Sequence, residues 1–140
     1  MKIGFTGTRD GMSTHQLAGV HDVLRCLCPS EAHHGDCVGS DAQFHSSAQH
    51  VAFNLGYKVK IVVHPPSNST HRANVTGDDA YAPKPYLERN KWIVDKTQLL
   101  IATPAGPEVQ RSGTWSTIRY ARSRNRPIII LWPDGCRTSE

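Results

Sequence analysis

The amino-acid sequence alternates short apolar segments with longer amphipathic segments about five times. The last apolar segment, residues 127–132 (PIIILW), is apolar almost throughout, which is typical of a strand buried on both faces. Because helices cover such strands on each side, the alternation predicts a mostly parallel sheet. We therefore expect an α/β fold, a single Rossmann-like doubly wound domain with about five strands and helices on both faces.

The boundaries of the predicted elements follow from periodicity and from end signals. Strands are predicted at 2–6, 31–34, 58–64, 99–103 and 127–132, and helices at 13–28, 40–55, 86–96 and 112–125. Residues 67–85 have no periodic apolar pattern and are rich in Asn, Ser, Thr, Asp, Gly and Pro. A loop of this length inside one domain is usually functional or disordered, and we expect it to cover a ligand.

Length and composition predict one globular domain spanning residues 1–140. The 38% apolar and 20% charged fractions are ordinary for such a domain. No run approaches the roughly 20 apolar residues of a membrane span, and no signal-peptide pattern opens the chain. We expect a cytoplasmic protein that does not contact a membrane.

Eight histidines and four cysteines raise the question of a metal site. The densest cluster is His33-His34-x-Asp36-Cys37, but adjacent strand residues point to opposite faces. No helical His-x-x-x-His pair is present, and the cysteines lack zinc spacing. We predict no metal and no cofactor, and interpret His15, His21, His45 and His50 as solvated residues on helices.

The unusual polar residues follow the predicted strands, at the edge where ligands bind in open parallel sheets. The predicted ligand-binding residues are Gly7, Thr8, Arg9, Gly35, Asp36, Gly39, Arg72, Arg89, Asn90, Arg111, Ser112, Gly113 and Thr114. The free amides at a helix start favour an anion, so Ser112-Gly113-Thr114 is a candidate phosphate turn. Ser112 could equally serve as a helix cap.

Two further groups have alternative interpretations. Asp36 could accept hydrogen bonds from ribose hydroxyls, or Asp36 or Asp41 could cap the helix that follows. Asn90 lies on the apolar stripe of its predicted helix, so it either ties down a loop or faces a ligand. Arg89 beside it could pair with a phosphate.

The segment after residue 110 is basic although the net charge of the chain is only +4. Arg119, Arg122 and Arg126 share one face of the last predicted helix. That face could bind single-stranded nucleic acid, but aromatic residues are sparse there, and a solvated basic face explains the pattern better. Nucleic acid is therefore not expected as a partner.

Five segments together resemble the SLOG superfamily, which includes the Lonely Guy phosphoribohydrolases and the Rossmann-like domain of DNA-processing protein A. They are IGFTGTR (3–9), HHGDCVGSD (33–41), VVHPP (62–66), PYLERNKWIVDKTQLLIATP (85–104) and RSGTWSTIRYA (111–121). The match to short phage- or prophage-type members is close and covers most of the chain. The resemblance implies a SLOG-like nucleotide-binding domain and, by analogy, a homo-oligomer.

The resemblance implies two alternative activities, hydrolysis of a nucleotide or binding of one without turnover. Lonely Guy enzymes hydrolyse the N-glycosidic bond of nucleoside 5′-monophosphates and carry the signature P-G-G-x-G-T-x-x-E. When that signature is aligned on Gly113-Thr114, the glutamate position falls on Thr117, so the usual carboxylate is missing. Other SLOG domains bind signalling nucleotides without turnover.

Three functions remain as predictions. The first is binding of a phosphorylated nucleotide or nucleotide-derived signal, for sensing or sequestration. The second is an N-glycosidase that uses Asp36 or Glu88 as its carboxylate, with Asp10 as a further candidate. The third is binding of single-stranded nucleic acid.

Overall fold

The computed structural model describes all residues, 1–140, and contains one seven-stranded sheet. The strands are β1 (Lys2–Gly7), β2 (Glu31–His34), β3 (Lys60–Val63), β4 (Asp79–Ala80), β5 (Leu99–Thr103), β6 (Ile128–Leu131) and β7 (Arg137–Ser139). The helices are α1 (Thr14–Leu27), α2 (Ser40–Leu55), α3 (Tyr86–Asp95) and α4 (Gly113–Ser123). The predicted α/β class and Rossmann-like architecture are confirmed.

The strand order is β4-β3-β2-β1-β5-β6-β7, and every pairing is parallel except that of β6 with β7. From β1 the chain adds strands towards β4, then returns to the other side of β1 with β5. The direction of winding therefore reverses between β1 and β5. Ligands of doubly wound sheets bind at such a switch point.

The two helical layers meet opposite faces of the same strands. On β6, Ile129 and Leu131 join the core beneath α1 and α2, whereas Ile128 and Ile130 join the core beneath α3 and α4. Alternate strand residues point to opposite faces, so this division explains why PIIILW is apolar throughout. In the first layer Phe5 of β1 stacks on Phe44 of α2 with ring centroids 4.4 Å apart.

Local sequence explains where the first two helices begin and end. Ser13 caps α1 in a reciprocal capping box with Gln16. Gly56 ends α2 in the left-handed conformation, with φ of 74°. The N-cap of α2 is Gly39, and no side chain caps that helix, so the suggestion that Asp36 or Asp41 caps it is wrong.

The sheet has two more strands than the five predicted. Both additions are short edge strands: β4 has two residues within the predicted loop 67–85, and β7 has three residues near residue 140. Residues 69–71 of the same loop form a single 3-10 turn. Residues 67–85 thus form a strap that runs beside β3 and completes one edge of the sheet.

Candidate functional site

A cleft of about 790 Å³ opens at the carboxyl ends of β1 and its neighbours. Most of the predicted ligand residues line it: Gly7, Thr8, Arg9, Gly35, Arg89, Asn90, Arg111, Ser112, Gly113 and Thr114. Asp36, Gly39 and Arg72 are not among the lining residues. The loops after four different strands therefore converge on one cavity at the switch point.

The start of α4 forms one wall of the cleft. The hydroxyl of Ser112 accepts a hydrogen bond from the Trp115 amide at 3.2 Å, which confirms Ser112 as the helix cap. The amides of Gly113 and Thr114 have no partner within the helix, and both residues line the cleft. A cap and an anion-binding turn are thus compatible here, because the cap uses a different amide.

Thr117 stands where the Lonely Guy signature has glutamate. Its hydroxyl donates to the Gly113 carbonyl at 2.8 Å, and the residue is 1% exposed. Thr117 is absent from the cleft lining. This position supplies no ionisable group to a ligand.

Arg89 is buried in the cleft wall, and its donors are directed at the protein itself. Nη1 donates to the carbonyl oxygens of Gly35 and His64, and Nε donates to Asn90 Oδ1 at 2.7 Å. Nη2 approaches the Cys37 sulfur at 3.7 Å. Arg89 therefore clamps the carboxyl ends of β2 and β3 and has little donor capacity left for a phosphate.

Asn90 holds Arg89 in place through that same hydrogen bond while also lining the cleft. Its position on the apolar stripe of α3 is explained by this contact, since a buried guanidinium needs acceptors. The Arg89 guanidinium also lies 5.3 Å from the centroid of the Tyr86 ring. The pair thus builds the wall of the site.

Asp36 is fully buried and anchors the strap. Its Oδ2 accepts from Arg72 Nε at 2.6 Å, and its Oδ1 accepts from the Val75 amide at 3.0 Å. Its carbonyl accepts from the Ala73 amide at 2.8 Å. Asp36 and Arg72 therefore bind each other, and neither faces the cleft in the position expected for a ligand contact.

Gly39 lies behind the cleft, where α2 meets the turn after β1. A Cβ at Gly39 would be 2.1 Å from the Arg9 carbonyl oxygen, and its φ is 83°. Both observations require glycine. Gly39 supports the turn at Thr8 and Arg9 but does not itself line the cleft.

Two carboxylates line the cleft, and neither is Asp36 or Glu88, the principal catalytic candidates of the N-glycosidase hypothesis. Asp36 is buried elsewhere, and Glu88 is exposed and does not line the cleft. The carboxylates that do line it are Asp10, which is exposed, and Asp41, which is 7% exposed. Of the carboxylates considered for the N-glycosidase, Asp36 and Glu88 lie outside the cleft lining, and Asp10 is among the lining residues.

Asp41 is the principal site residue that sequence reasoning missed. Its Oδ2 accepts from the Cys37 amide at 3.1 Å. Burial raises the pKa of Asp41 to about 6, although the nearby charge of Arg89 opposes the shift. Burial likewise raises the pKa of the Cys37 thiol, so Cys37 is a neutral wall residue.

His71 and Tyr86 also line the cleft. His71 is carried by the strap, and its carbonyl accepts from the Val38 amide at 2.9 Å. Tyr86 is the first residue of α3. The sequence placed His71 in the loop 67–85 and Tyr86 at the start of a helix. Residue type alone did not indicate that their side chains face the cleft.

Four of the histidines form buried pairs. His33 and His64 are joined at 2.8 Å, and His33 also contacts Glu31 at 2.9 Å. His34 and His45 are joined at 2.9 Å on the other face of the sheet. Adjacent strand histidines do point to opposite faces, but the interpretation of His45 as solvated is wrong, because it is 5% exposed and packs on β2.

Burial lowers the pKa of each of these histidines. The pKa falls to about 3 for both His34 and His64, and it is lowered for His33 and His45. The four imidazoles are neutral at pH 7. No group of three or more metal-ligating side chains is arranged to hold an ion.

The basic face of α4 is largely occupied by ion pairs. Arg119 and Arg122 both contact Glu108, at 3.0 and 3.1 Å, and Arg122 also contacts Glu140 at 2.7 Å. These acids neutralise much of the charge that a nucleic acid would need. Trp115 and Ile118 of the same helix are buried in the core of this chain, and the Arg122 guanidinium lies 5.8 Å from the centroid of the Trp115 ring.

Comparisons with known proteins bear on the fold. No protein-family model and no curated protein matches this sequence. The chain is similar in structure to a molybdenum cofactor binding protein from the phototrophic bacterium Rippkaea orientalis, with a TM-score of 0.69 and 19% sequence identity. The likeness covers 94% of this chain and 77% of that chain. The two proteins share a fold.

None of the four helices of the present chain is both long and apolar enough to cross a membrane.

Proposed function

We propose that this protein binds a small phosphorylated nucleotide, or a signal derived from one, in the cleft at the carboxyl ends of the strands. The observation that carries the proposal is the start of α4, where Arg111 and the free amides of Gly113 and Thr114 line the same wall. Backbone amides at a helix start together with a guanidinium are a strong combination for phosphate.

The charge distribution in the cleft supports one orientation of the ligand. Arg9 and Arg111 are exposed lining residues, and neither makes a hydrogen bond through its guanidinium, so both are available to a phosphate. Arg89, by contrast, is committed to carbonyl groups of the protein. The phosphate therefore belongs at the α4 end of the cleft.

We also propose that the chain belongs to the SLOG superfamily, in its short phage- or prophage-type branch. Four of the five segments of the resemblance contribute lining residues to the cleft, the exception being residues 62–66, and the Rossmann-like fold is compatible with the resemblance. The structural neighbour is named for binding molybdenum cofactor, which supports small-molecule binding in this fold. Binding without turnover, for sensing or sequestration, is the function we propose, because Asp36 and Glu88 lie outside the cleft lining and Thr117 stands where the Lonely Guy signature has its glutamate.

The first experiment is native mass spectrometry of the purified protein, followed by calorimetric titration with the ribonucleoside 5′-monophosphates. We expect stoichiometric retention of a phosphorylated ligand and no free base in the supernatant. The same spectra report the subunit count, which tests the expected homo-oligomer, and would register molybdenum cofactor by its mass. Release of free base would replace the proposal with the N-glycosidase alternative.

A matched pair of variants tests the phosphate subsite. Arg111→Ala should weaken binding about 10- to 100-fold, the range expected for loss of hydrogen bonds to a charged group. Arg124→Ala removes the exposed arginine that follows the last residue of α4 and pairs with Asp95 at 3.6 Å, and it should leave the affinity unchanged. Equal affinities for the two variants, or no binding by the parent protein, would contradict the proposal.

A further inference from the structure

Asp41 is a buried carboxylate whose position is not explained by the fold alone. It does not cap α2, whose N-cap is Gly39 without any side-chain bond. Few hydrogen bonds reach the carboxylate in this structure: the Cys37 amide donates to Oδ2 at 3.1 Å, and the backbone of Gly35 also stabilises the ionised form. Burying a charged group with so few donors is unfavourable, and such a group calls for a partner.

The cleft is the route by which a hydrogen-bonding group of a ligand can reach Asp41. Asp41 is 7% exposed and lines the cleft together with Gly35 and Cys37. A Cβ at Gly35 would lie 3.0 Å from Asp41 Oδ2 and would clash with Arg89, so only glycine leaves the carboxylate and the guanidinium side by side. Arg89 sits beside Asp41 without forming a salt bridge, because its donors face the Gly35 and His64 carbonyls.

The sheet order sets the distance between Asp41 and the phosphate subsite. Asp41 follows β2, the α4 start follows β5, and β1 lies between these two strands. Two strand spacings amount to about 10 Å. A nucleotide whose phosphate rests on Gly113 and Thr114 would extend its sugar across the end of β1 towards Asp41.

The chemistry of Asp41 fits hydroxyl groups and disfavours phosphate. An ionised carboxylate only accepts hydrogen bonds, so it attracts donors and repels the anionic end of the ligand. Although burial raises the pKa of Asp41 to about 6, the group is still mainly ionised at pH 7.5. In dinucleotide-binding folds a carboxylate accepts from the ribose 2′-hydroxyl in the same way.

Resting on the proposed function, we propose that Asp41 determines sugar specificity, accepting hydrogen bonds from the ribose hydroxyls so that ribonucleotides are selected over 2′-deoxyribonucleotides. Asp36, the carboxylate assigned to this role from the sequence, is occupied by the strap. Asp41 lies five residues later, at the start of α2, and takes its place. The other cleft carboxylate, Asp10, is exposed and is not enclosed by donors or walls.

The test is a set of calorimetric titrations at pH 7.5 with each ribonucleoside 5′-monophosphate and its 2′-deoxy and 2′-O-methyl counterparts. For the parent protein we expect a preference of roughly 10- to 100-fold for the ribonucleotide, the value of a hydrogen bond to a charged group. The 2′-O-methyl compound lacks the donor and should bind as weakly as the deoxy compound, or more weakly.

Asp41→Asn keeps the size of the side chain and an oxygen that can accept from the Cys37 amide. It should reduce the preference to within about threefold, mainly through weaker ribonucleotide binding, and leave binding of the deoxynucleotide intact. Retained deoxynucleotide binding also shows that the variant is folded. Asp22→Asn, at an exposed carboxylate of α1 that lies outside the cleft, is the matched control and should keep the full preference.

The outcomes separate the two proposals. If the parent protein binds no nucleotide, the proposed function fails. If it binds ribo- and deoxyribonucleotides equally, or if Asp41→Asn keeps the preference, nucleotide binding stands and the role of Asp41 is overturned. Should Asp41→Asn fail to fold, equal binding of the ribonucleotide and its 2′-O-methyl counterpart by the parent protein would still overturn the role of Asp41.

Discussion

Gly7 is the residue at which the sheet, α2 and the cleft come together. A Cβ at this position would lie 2.5 Å from both Ser40 Cβ and Thr103 Oγ1. Neither neighbour can move easily, because Ser40 and Thr103 are buried at 0% and 1% exposure. The last residue of β1 must therefore be glycine for the switch point to close.

Replacing Gly7 with alanine should lower the free energy of unfolding by about 1–3 kcal/mol, the usual cost of overpacking. Gly106→Ala is the matched control, since no atom lies within 4 Å of the position of its Cβ. Urea denaturation of both variants measures the difference. A Gly7→Ala protein as stable as the control would show that the helix and sheet can separate at this point without cost.

Asp36 has a structural task that can be tested apart from ligand binding. Asp36→Asn removes the charge that pairs with Arg72 and weakens the bond from the Val75 amide. We expect a loss of about 1–3 kcal/mol in unfolding free energy and faster hydrogen exchange confined to residues 67–80. Unchanged exchange in that segment would mean that β4 alone holds the strap.

The residue scale shows what sequence could and could not reveal about the site. Polar residues after each strand indicated the edge where the cleft lies, and most of them do line it. Asp36 and Asp41 share the same segment, and only the backbone path decides which of them faces inwards. Asp36 has a positive φ of 56°, an uncommon conformation that turns its side chain towards the strap and cannot be foreseen from residue type.

At the scale of elements, the loop between β5 and α4 is held by Arg119. Its guanidinium donates to Glu108 Oε2 at 3.0 Å and to the carbonyls of Val109 and Gln110 at 3.2 and 3.1 Å. These residues directly precede Arg111. An arginine that the sequence placed on a solvated face thus shapes the phosphate subsite from behind.

Arg119→Ala should therefore weaken nucleotide binding severalfold without touching the ligand. The reason is that ordering a released loop costs roughly 1–2 kcal/mol of backbone entropy for each residue fixed. Arg119→Lys restores only a point charge and should recover part of the affinity. Titration calorimetry with the same nucleotide measures both variants, and an unchanged affinity in Arg119→Ala would show that the loop is rigid without this contact.

The longer helices and strands could be predicted from the sequence, and the two shortest strands could not. All four helices and the five longer strands carry periodic apolar patterns, and their bounds fall within a few residues of those expected. β4 and β7 have two and three residues, all exposed, so they have no pattern to detect. Their pairing depends on β3 and β6 already being in place.

The whole molecule contains four buried neutral histidines, and this sets its response to acid. The unfolded chain binds protons at these imidazoles near pH 6.5, whereas His34 and His64 in the folded protein resist protonation down to a pKa of about 3. Stability is therefore fully present above pH 6.5 and is lost as the pH falls from 6.5 towards 3. Asp41 has the opposite effect on stability, because its pKa is raised in the folded protein. As the pH falls from about 6 towards the pKa of the unfolded chain, protonation of Asp41 stabilises the fold, over a narrower pH range than that of the histidines.

We expect the free energy of unfolding to drop between pH 7 and pH 5 by about 2 kcal/mol for each strongly shifted histidine, less the smaller gain from Asp41. Urea denaturation at the two pH values measures this change. His64→Gln should flatten the dependence, and His50→Gln, at an exposed position of α2, should not. An identical pH dependence in both variants would contradict the assignment.

The central position of β1 has a consequence for how the chain is made in the cell. β1 is synthesised well before β5, one of its two neighbours, which begins only at residue 99. While the ribosome is still translating, β1 to β4 can assemble with α1 and α2, but the Ile3–Gly7 edge of β1 that will pair with β5 stays open. Unpaired strand edges invite association with other chains. Until β5 is synthesised and pairs with it, this edge of the nascent sheet is exposed to such association.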